Sequence, residues 1–302
     1  MGEMSDADKK LLENIRYLET RYCTYDLPIE FEGFTLYPVK MQDYNEFLSA
    51  SSCLTLIKND DIMGIKKTYL EYLLSKINDP LEGAFWSMRL STIAELCFHV
   101  TSCLKCYHCG KVLSYDDYMA QTEGLSEEET RKKLICDCGN IYSQTLWYKQ
   151  DEESGEQVIM IDNKKLNNAV FNKLRKVIMY QNLPDYKDDS WVDKAIRDDQ
   201  AAKQALTSKN SGKATLERQI TCFAVFMRMK PEEVYNMSMR KFLMMQSEVD
   251  DYLDYTITRQ GLMSGFASLP KGQKLEHWIY KKEKDIYGES VSLDSFADNF
   301  KH

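Results

Sequence analysis

Two short cysteine turns constrain this chain more than any other feature. Cys106-Tyr-His-Cys109 and Cys136-Asp-Cys138 are each followed by a glycine, Gly110 and Gly139. Two thiolates held two or three residues apart can grip one ion from a tight turn. A following glycine accepts positive φ without a Cβ clash, so the turn can curl back and aim N–H groups at the sulfurs. Two such turns facing each other make a closed four-thiolate site, a usual form of structural zinc. The spacing therefore predicts one structural zinc ion on Cys106, Cys109, Cys136 and Cys138.

Other ligand sets compete with this one. Cys103 precedes Cys106 at the same spacing, but it lacks the glycine and reads as a small buried hydrophobe ending the preceding helix. His108 lies between two ligands, where a side chain usually points outward. A redox role for Cys106 and Cys109 would not explain the second pair. Cys23, Cys53, Cys97 and Cys222 lie far apart inside apolar patterns. Nine cysteines without a recognisable export signal suit a reducing compartment better than a disulfide framework.

Length and charge narrow the classes further. A chain of 302 residues can bury a sizeable core and divide into two domains. No apolar run reaches the roughly 18 residues that span a bilayer, so no membrane partner is expected. The formal charge is −8, a poor start for binding phosphates. Between Cys103 and Trp147 five Lys or Arg stand against seven Asp or Glu, so the cysteine segment is itself acidic and argues against nucleic acid.

Local patterns place the elements. Asp6 to Thr20 reads as a charged helix. Leu27 to Pro38 alternates around Glu32-Gly33, a hairpin with a tight turn and with Pro28 and Pro38 at its ends. Helices are expected over 41–56 and 68–77. Asp79-Pro80 caps another, running from about Leu81 to Cys103 with Phe85, Met88, Ile93, Leu96, Cys97 and Val100 inward. Residues 114–134 form a polar insertion, and Ser126 opens a helix within it. Strands follow at 141–147 and 158–161.

The rest reads as helical. The segment 163–181 carries Leu166, Val170, Leu174 and Ile178 on one stripe. Further helices are expected over 191–208, after Thr215, after Pro231 and after Ser238. The cluster Met229, Met237, Met239, Met244 and Met245 fits either core packing or an adaptable binding surface. The expected fold is α+β and predominantly helical, with an N-terminal β-hairpin and helices, an inserted four-cysteine zinc ribbon and a helical C-terminal half. Residues 1–155 form the mixed domain, with the ribbon at about 103–147. Residues 156–302 form the helical domain with a polar tail, unless the Val158 strand joins the N-terminal sheet.

No reaction centre emerges. Four histidines give no convincing Ser-His-Asp arrangement. Lys209 to Thr215 lacks the first glycine of a phosphate loop and reads as a linker. Asp188-Asp189 and Asp250-Asp251 read as solvated acids.

The order of parts resembles the baseplate-hub assembly proteins and tail-assembly chaperones of contractile-tailed bacteriophages. The hairpin at Ile29 to Val39 precedes helices, and a helix at Phe85 to Glu95 enters the cysteine turns. Arg89, Ser91, Ala94 and Glu95 stand, with altered spacing, where that family has an Arg-x-x-Ser-x-Gly/Ala-Glu helix before its Cys-x-x-Cys element. Lys230 to Phe242 is similar to helical segments of tail-assembly proteins. The resemblance covers about residues 25–145 and 215–260. It implies a non-catalytic assembly factor or minor structural component that binds other tail or baseplate proteins. Such a protein acts in the bacterial host cytoplasm or is built into the virion tail. Two other classes compete. One is a zinc-ribbon nucleic-acid-binding or transcription accessory protein, using Lys271, Lys274, Lys281, Lys282 and Lys284 beside Trp278 and Tyr280. The other is an enzyme whose site is assembled from distant residues near His99 or His277.

Overall fold

The computed structural model of the chain describes residues 26–58, 61, 64–150, 155–186, 198–199, 215–266, 268–269, 275 and 277–279. The helix expected over 6–20, all of the one expected over 191–208 except residues 198–199, linker residues 209–214, Cys23, Asp188-Asp189 and the five tail lysines lie outside the described residues. The fold is α+β and rich in helix, as the patterns predict. Two compact units divide it, residues 1–244 and 245–302. The boundary expected at 155/156 falls inside the first.

The hairpin forms as expected. β1 (Ile29–Phe31) pairs with β2 (Phe34–Leu36), joined through Glu32 at φ 51° and Gly33 at φ 81°. Both turn residues lie in the left-handed region, which matches the twist of the flanking strands. Helix α1 (Tyr44–Ala50), flanked by short 3-10 turns, buries Phe47 and Ala50 but leaves Leu48 exposed. Helix α2 (Tyr69–Ile77) starts from a capping box. The Glu71 N–H donates to Thr68 Oγ1 at 3.2 Å, and the Thr68 N–H donates to Glu71 Oε2 at 2.7 Å.

Helix α3 (Gly83–Phe98) opens as read, with Asp79 accepting the N–H groups of Leu81 and Glu82. It ends earlier than expected. His99 turns left-handed at φ 54° and its N–H returns to the Ala94 carbonyl, so Cys103 lies beyond the helix. The inward stripe is Leu90, Ile93, Ala94 and Cys97. Phe85 and Met88 point to solvent instead, 47% and 60% exposed.

β6 (Leu146–Gln150), β7 (Gln157–Ile161) and β8 (Lys164–Leu166) make an antiparallel sheet in that order. The pairing of β6 with β7 crosses the expected domain boundary. β7 is central, with Val158, Ile159, Met160 and Ile161 all buried. The expected helix over 163–181 starts later, as α4 (Asn168–Asn182), capped by Asn167. Leu166 belongs to β8, because Asp162 and Asn163 take φ 44° and 66° and close a second hairpin. Short polar side chains at such positions bond locally and tolerate this conformation.

α4 binds the body through buried polar groups. Asn182 Oδ1 accepts the Val39 N–H at 2.8 Å, and Gln181 Nε2 donates to the Leu36 carbonyl at 3.1 Å. The Arg175 guanidinium lies 3.7 Å over the Tyr69 ring and reaches the Leu54 carbonyl. α5 (Leu216–Met227) is capped by Thr215 and buries Ile220, Phe223 and Ala224. α6 (Pro231–Tyr235) and α7 (Met239–Met263) follow, with Ser238 accepting the Lys241 N–H. Met237 and Met239 are core residues, and Met244 is exposed. Among the described residues no helix is long and apolar enough to cross a membrane.

Candidate metal centre

The ribbon is built on a small antiparallel sheet. β3 (Leu104–Lys105) sits between β4 (Val112–Leu113) and β5 (Ser143–Gln144). Cys106 follows β3 directly, so the first turn is the connection between β3 and β4. There the Gly110 N–H donates to the Cys106 carbonyl, and the Cys106 N–H donates to the Lys111 carbonyl, both at 2.8 Å. The second turn repeats the geometry. The Gly139 N–H donates to the Cys136 carbonyl, and the Cys136 N–H to the Asn140 carbonyl, again at 2.8 Å. Gly110 and Gly139 take φ 77° and 83°, the conformation their sequence positions suggest.

The two turns face each other. Cys106, Cys109, Cys136 and Cys138 bring four Sγ atoms within 4.8 Å of one another, a group that can hold one metal ion. Cys106 Sγ lies 3.5 Å from Cys138 Sγ, and Cys109 Sγ lies 3.5 Å from Cys136 Sγ. Cys106 and Cys136 are buried, whereas Cys109 and Cys138 face outward. Cys103 is buried, and His108 is exposed; neither belongs to the group. Lys111, after the first turn, pairs with Asp137, inside the second, at 2.5 Å. Both side chains are exposed, so the pair contributes little.

Hydrogen bonds prepare the sulfurs unequally. The Asn140 backbone N–H, then its side-chain amide, draws the Cys138 thiol down to about 6. The Cys138 backbone N–H and next the Tyr142 hydroxyl draw Cys136 down. The Lys111 N–H also lowers Cys109, but thiol contacts with Cys136 and Cys106 outweigh it and push Cys109 up to about 12. Four crowded sulfurs cannot all ionise unless a cation neutralises them. That chemistry fits a metal site.

Between the turns the expected helix opened by Ser126 forms over Glu127–Lys133, and a second polar helix, not expected, runs over Tyr115–Thr122 from Ser114. The ribbon core is small. Leu104, Cys106, Cys136 and Tyr142 are its buried members, with Leu113, Tyr115, Tyr118 and Leu134 against them.

Sequence reasoning missed how the ribbon is tied down. The expected strand over 141–147 is broken at Thr145, which is 3% exposed. Its hydroxyl donates to the Thr101 carbonyl at 2.7 Å and accepts the Cys103 N–H at 3.0 Å. Lys105 Nζ meets Asp162 Oδ1 at 2.8 Å, joining β3 to the β7–β8 turn. The Tyr107 hydroxyl is raised to about 12, first by burial and then by the Asp162 carboxylate it touches. The only signal for these ties was a lone threonine in a strand and the Asp162-Asn163 turn.

The other cysteines differ. Cys53 and Cys97 are fully buried, and burial pushes the Cys53 thiol up to about 12, as for an inert core residue. Cys222 is exposed, against the apolar setting its sequence suggests. No protein-family model, curated protein or solved structure matches this chain.

Proposed function

We propose that this chain is a non-catalytic binding protein whose ribbon is clasped by one structural zinc ion, and that its partners are proteins of a contractile phage tail. The closed set of four sulfurs carries the reading. Zinc–sulfur bonds of about 2.3 Å put the sulfurs of a tetrahedral site about 3.8 Å apart. Two Sγ pairs at 3.5 Å, with all four inside 4.8 Å, suit that edge. Four thiolates fill the coordination sphere, so the ion has no open position for water or substrate. Its work is mechanical. It holds together a segment whose own apolar core is too small to do so.

The choice of partner follows the resemblance of residues 25–145 and 215–260 to tail-assembly proteins. In that role the chain is an assembly factor or minor structural component, in the host cytoplasm or within the tail. An exposed surface at the start of α3 and in the turn before it supports a binding role. Leu81 is 92% exposed, Phe85 and Met88 stand beside it in sequence, and the Arg89 guanidinium lies 3.7 Å over the Phe85 ring. Arginine and large aromatics dominate the energetics of protein interfaces.

Elemental analysis of protein purified without chelator tests the clasp. One zinc per chain is expected, and metal-free folded protein defeats the reading. Pull-down of the tagged chain from phage-infected cells tests the partner. A tail or baseplate protein is expected. Recovery of none removes the phage assignment and leaves the clasp standing.

A further inference from the structure

β6 ends the sheet order β6-β7-β8, and among the described residues nothing pairs with its outer side. The β7–β8 turn fixes which of its backbone groups face outward. Asp162 and Asn163 both take positive φ, so this two-residue turn closes a hydrogen-bonded pair between Ile161 and Lys164. Ile159 and Ile161 therefore direct their N–H and C=O groups to β8, and Val158 and Met160 direct theirs to β6. In the register, Val158 meets Lys149 and Met160 meets Trp147. The Asp162 N–H, donating to the Thr145 carbonyl at 2.7 Å, keeps the same alternation. The backbone groups of Leu146, Tyr148 and Gln150 are left pointing away from the sheet.

This outward set is complementary to itself. In a second copy running antiparallel, with Tyr148 on the two-fold axis, Tyr148 faces the partner's Tyr148 and Leu146 faces the partner's Gln150. Every outward N–H and C=O of the strand then finds a partner. The side chains suit the same register. Trp147 and Lys149 share one face of β6, with the Lys149 ammonium 5.2 Å from the Trp147 ring centroid. In the pair, Lys149 stands opposite the partner's Trp147, and the axis repeats the contact. These are positions without backbone bonds between the copies, where side chains approach most closely. Lysine on an edge strand ordinarily discourages pairing, but here an indole ring faces it. Tyr148, 47% exposed, meets the partner's Tyr148 on the opposite face.

We propose that β6 is a self-association edge along which two copies of this chain pair about Tyr148. Their three-stranded sheets join into one of six strands. A five-residue edge buries little area, so the dimer is weak and forms with rising concentration.

Sedimentation equilibrium of the full-length chain from about 1 to about 300 μM tests this. A reversible dimer is expected. Tyr148→Pro removes an outward N–H and costs β6 no bond to β7. Lys149→Glu sets a carboxylate against the partner's Trp147. Each should weaken dimerisation at least about tenfold, with a thermal midpoint at about 1 μM near that of wild type. If Tyr148→Pro does not fold, Lys149→Glu decides. Amide exchange at Leu146, Tyr148 and Gln150 should slow as the dimer forms. A monomer throughout the range, a dimer that either folded variant leaves intact, or a dimer whose three amides still exchange freely overturns the proposal.

Discussion

Thr145 and Cys103 hold each other through two hydrogen bonds. The Cys103 N–H donates to the Thr145 hydroxyl at 3.0 Å, and the Thr145 N–H donates to the Cys103 carbonyl at 2.9 Å. Cys103 leads into β3 and Thr145 separates β5 from β6, so the pair joins the cysteine ribbon to the sheet of β6, β7 and β8. Thr145→Val keeps the shape but leaves the buried Cys103 N–H without its acceptor. A buried donor left in this way costs about 1–3 kcal/mol. Urea denaturation should show that loss as a lower midpoint at an unchanged slope. An unchanged midpoint would mean that the tie contributes nothing.

Removing the metal should unfold the ribbon and spare the rest. Structural zinc supplies roughly 10 kcal/mol in small modules. The ribbon has four buried core members, two of them cysteines. The body has its own core around β7, α2 and α4, independent of any ion. Chelation, or Cys109→Ser, should therefore abolish hydrogen-exchange protection from Leu104 to Tyr142. Protection in α5, around Ile220 and Phe223, should persist. If exchange across the ribbon stays slow after verified metal loss, the clasp is not what holds it.

Gly83 begins α3 where the chain turns back against α2. A Cβ there would lie 2.1 Å from the Ile77 carbonyl oxygen, a backbone atom. Helix propensity alone predicts that Gly83→Ala stabilises by up to about 1 kcal/mol. The close approach predicts the reverse, a loss of about 1–3 kcal/mol from overpacking. The sign of the shift in thermal midpoint decides between them.

The legible parts of this protein were those set by a few neighbouring residues. The Glu32-Gly33 turn, the Asp79, Ser126 and Thr215 caps, and both cysteine turns act within a span of four or five residues. The candidate ligands could be named because each turn carries its own glycine. What stayed hidden depends on distant contacts. Leu166, Val170, Leu174 and Ile178 fit a helical stripe, yet β8 claims Leu166 because β7 offers it a pairing partner. The end of α3 rests on His99 in a left-handed conformation, which no glycine or proline announces. Its ring stacks on Tyr37 with centroids 3.7 Å apart, a contact across more than sixty residues of sequence. Arg175, which no sequence pattern singles out, is buried where Tyr69 and the Leu54 carbonyl receive it.

Acid should reveal the cap of α3. Asp79 accepts the Leu81 N–H at 2.8 Å and the Glu82 N–H at 3.1 Å. These bonds, the one from Leu81 foremost, hold its carboxyl below the usual range. In the unfolded chain the group titrates near its ordinary value of about 3.9. A carboxyl depressed on folding stabilises fully above that value, and the contribution disappears as pH falls through the folded value. Asp79→Asn retains an acceptor for the cap but has no proton to gain there. Wild type should therefore lose stability more steeply than Asp79→Asn below about pH 4. Metal release in acid affects both chains and cancels in the difference between their urea midpoints. Parallel pH profiles would show that the carboxylate charge is irrelevant to the cap.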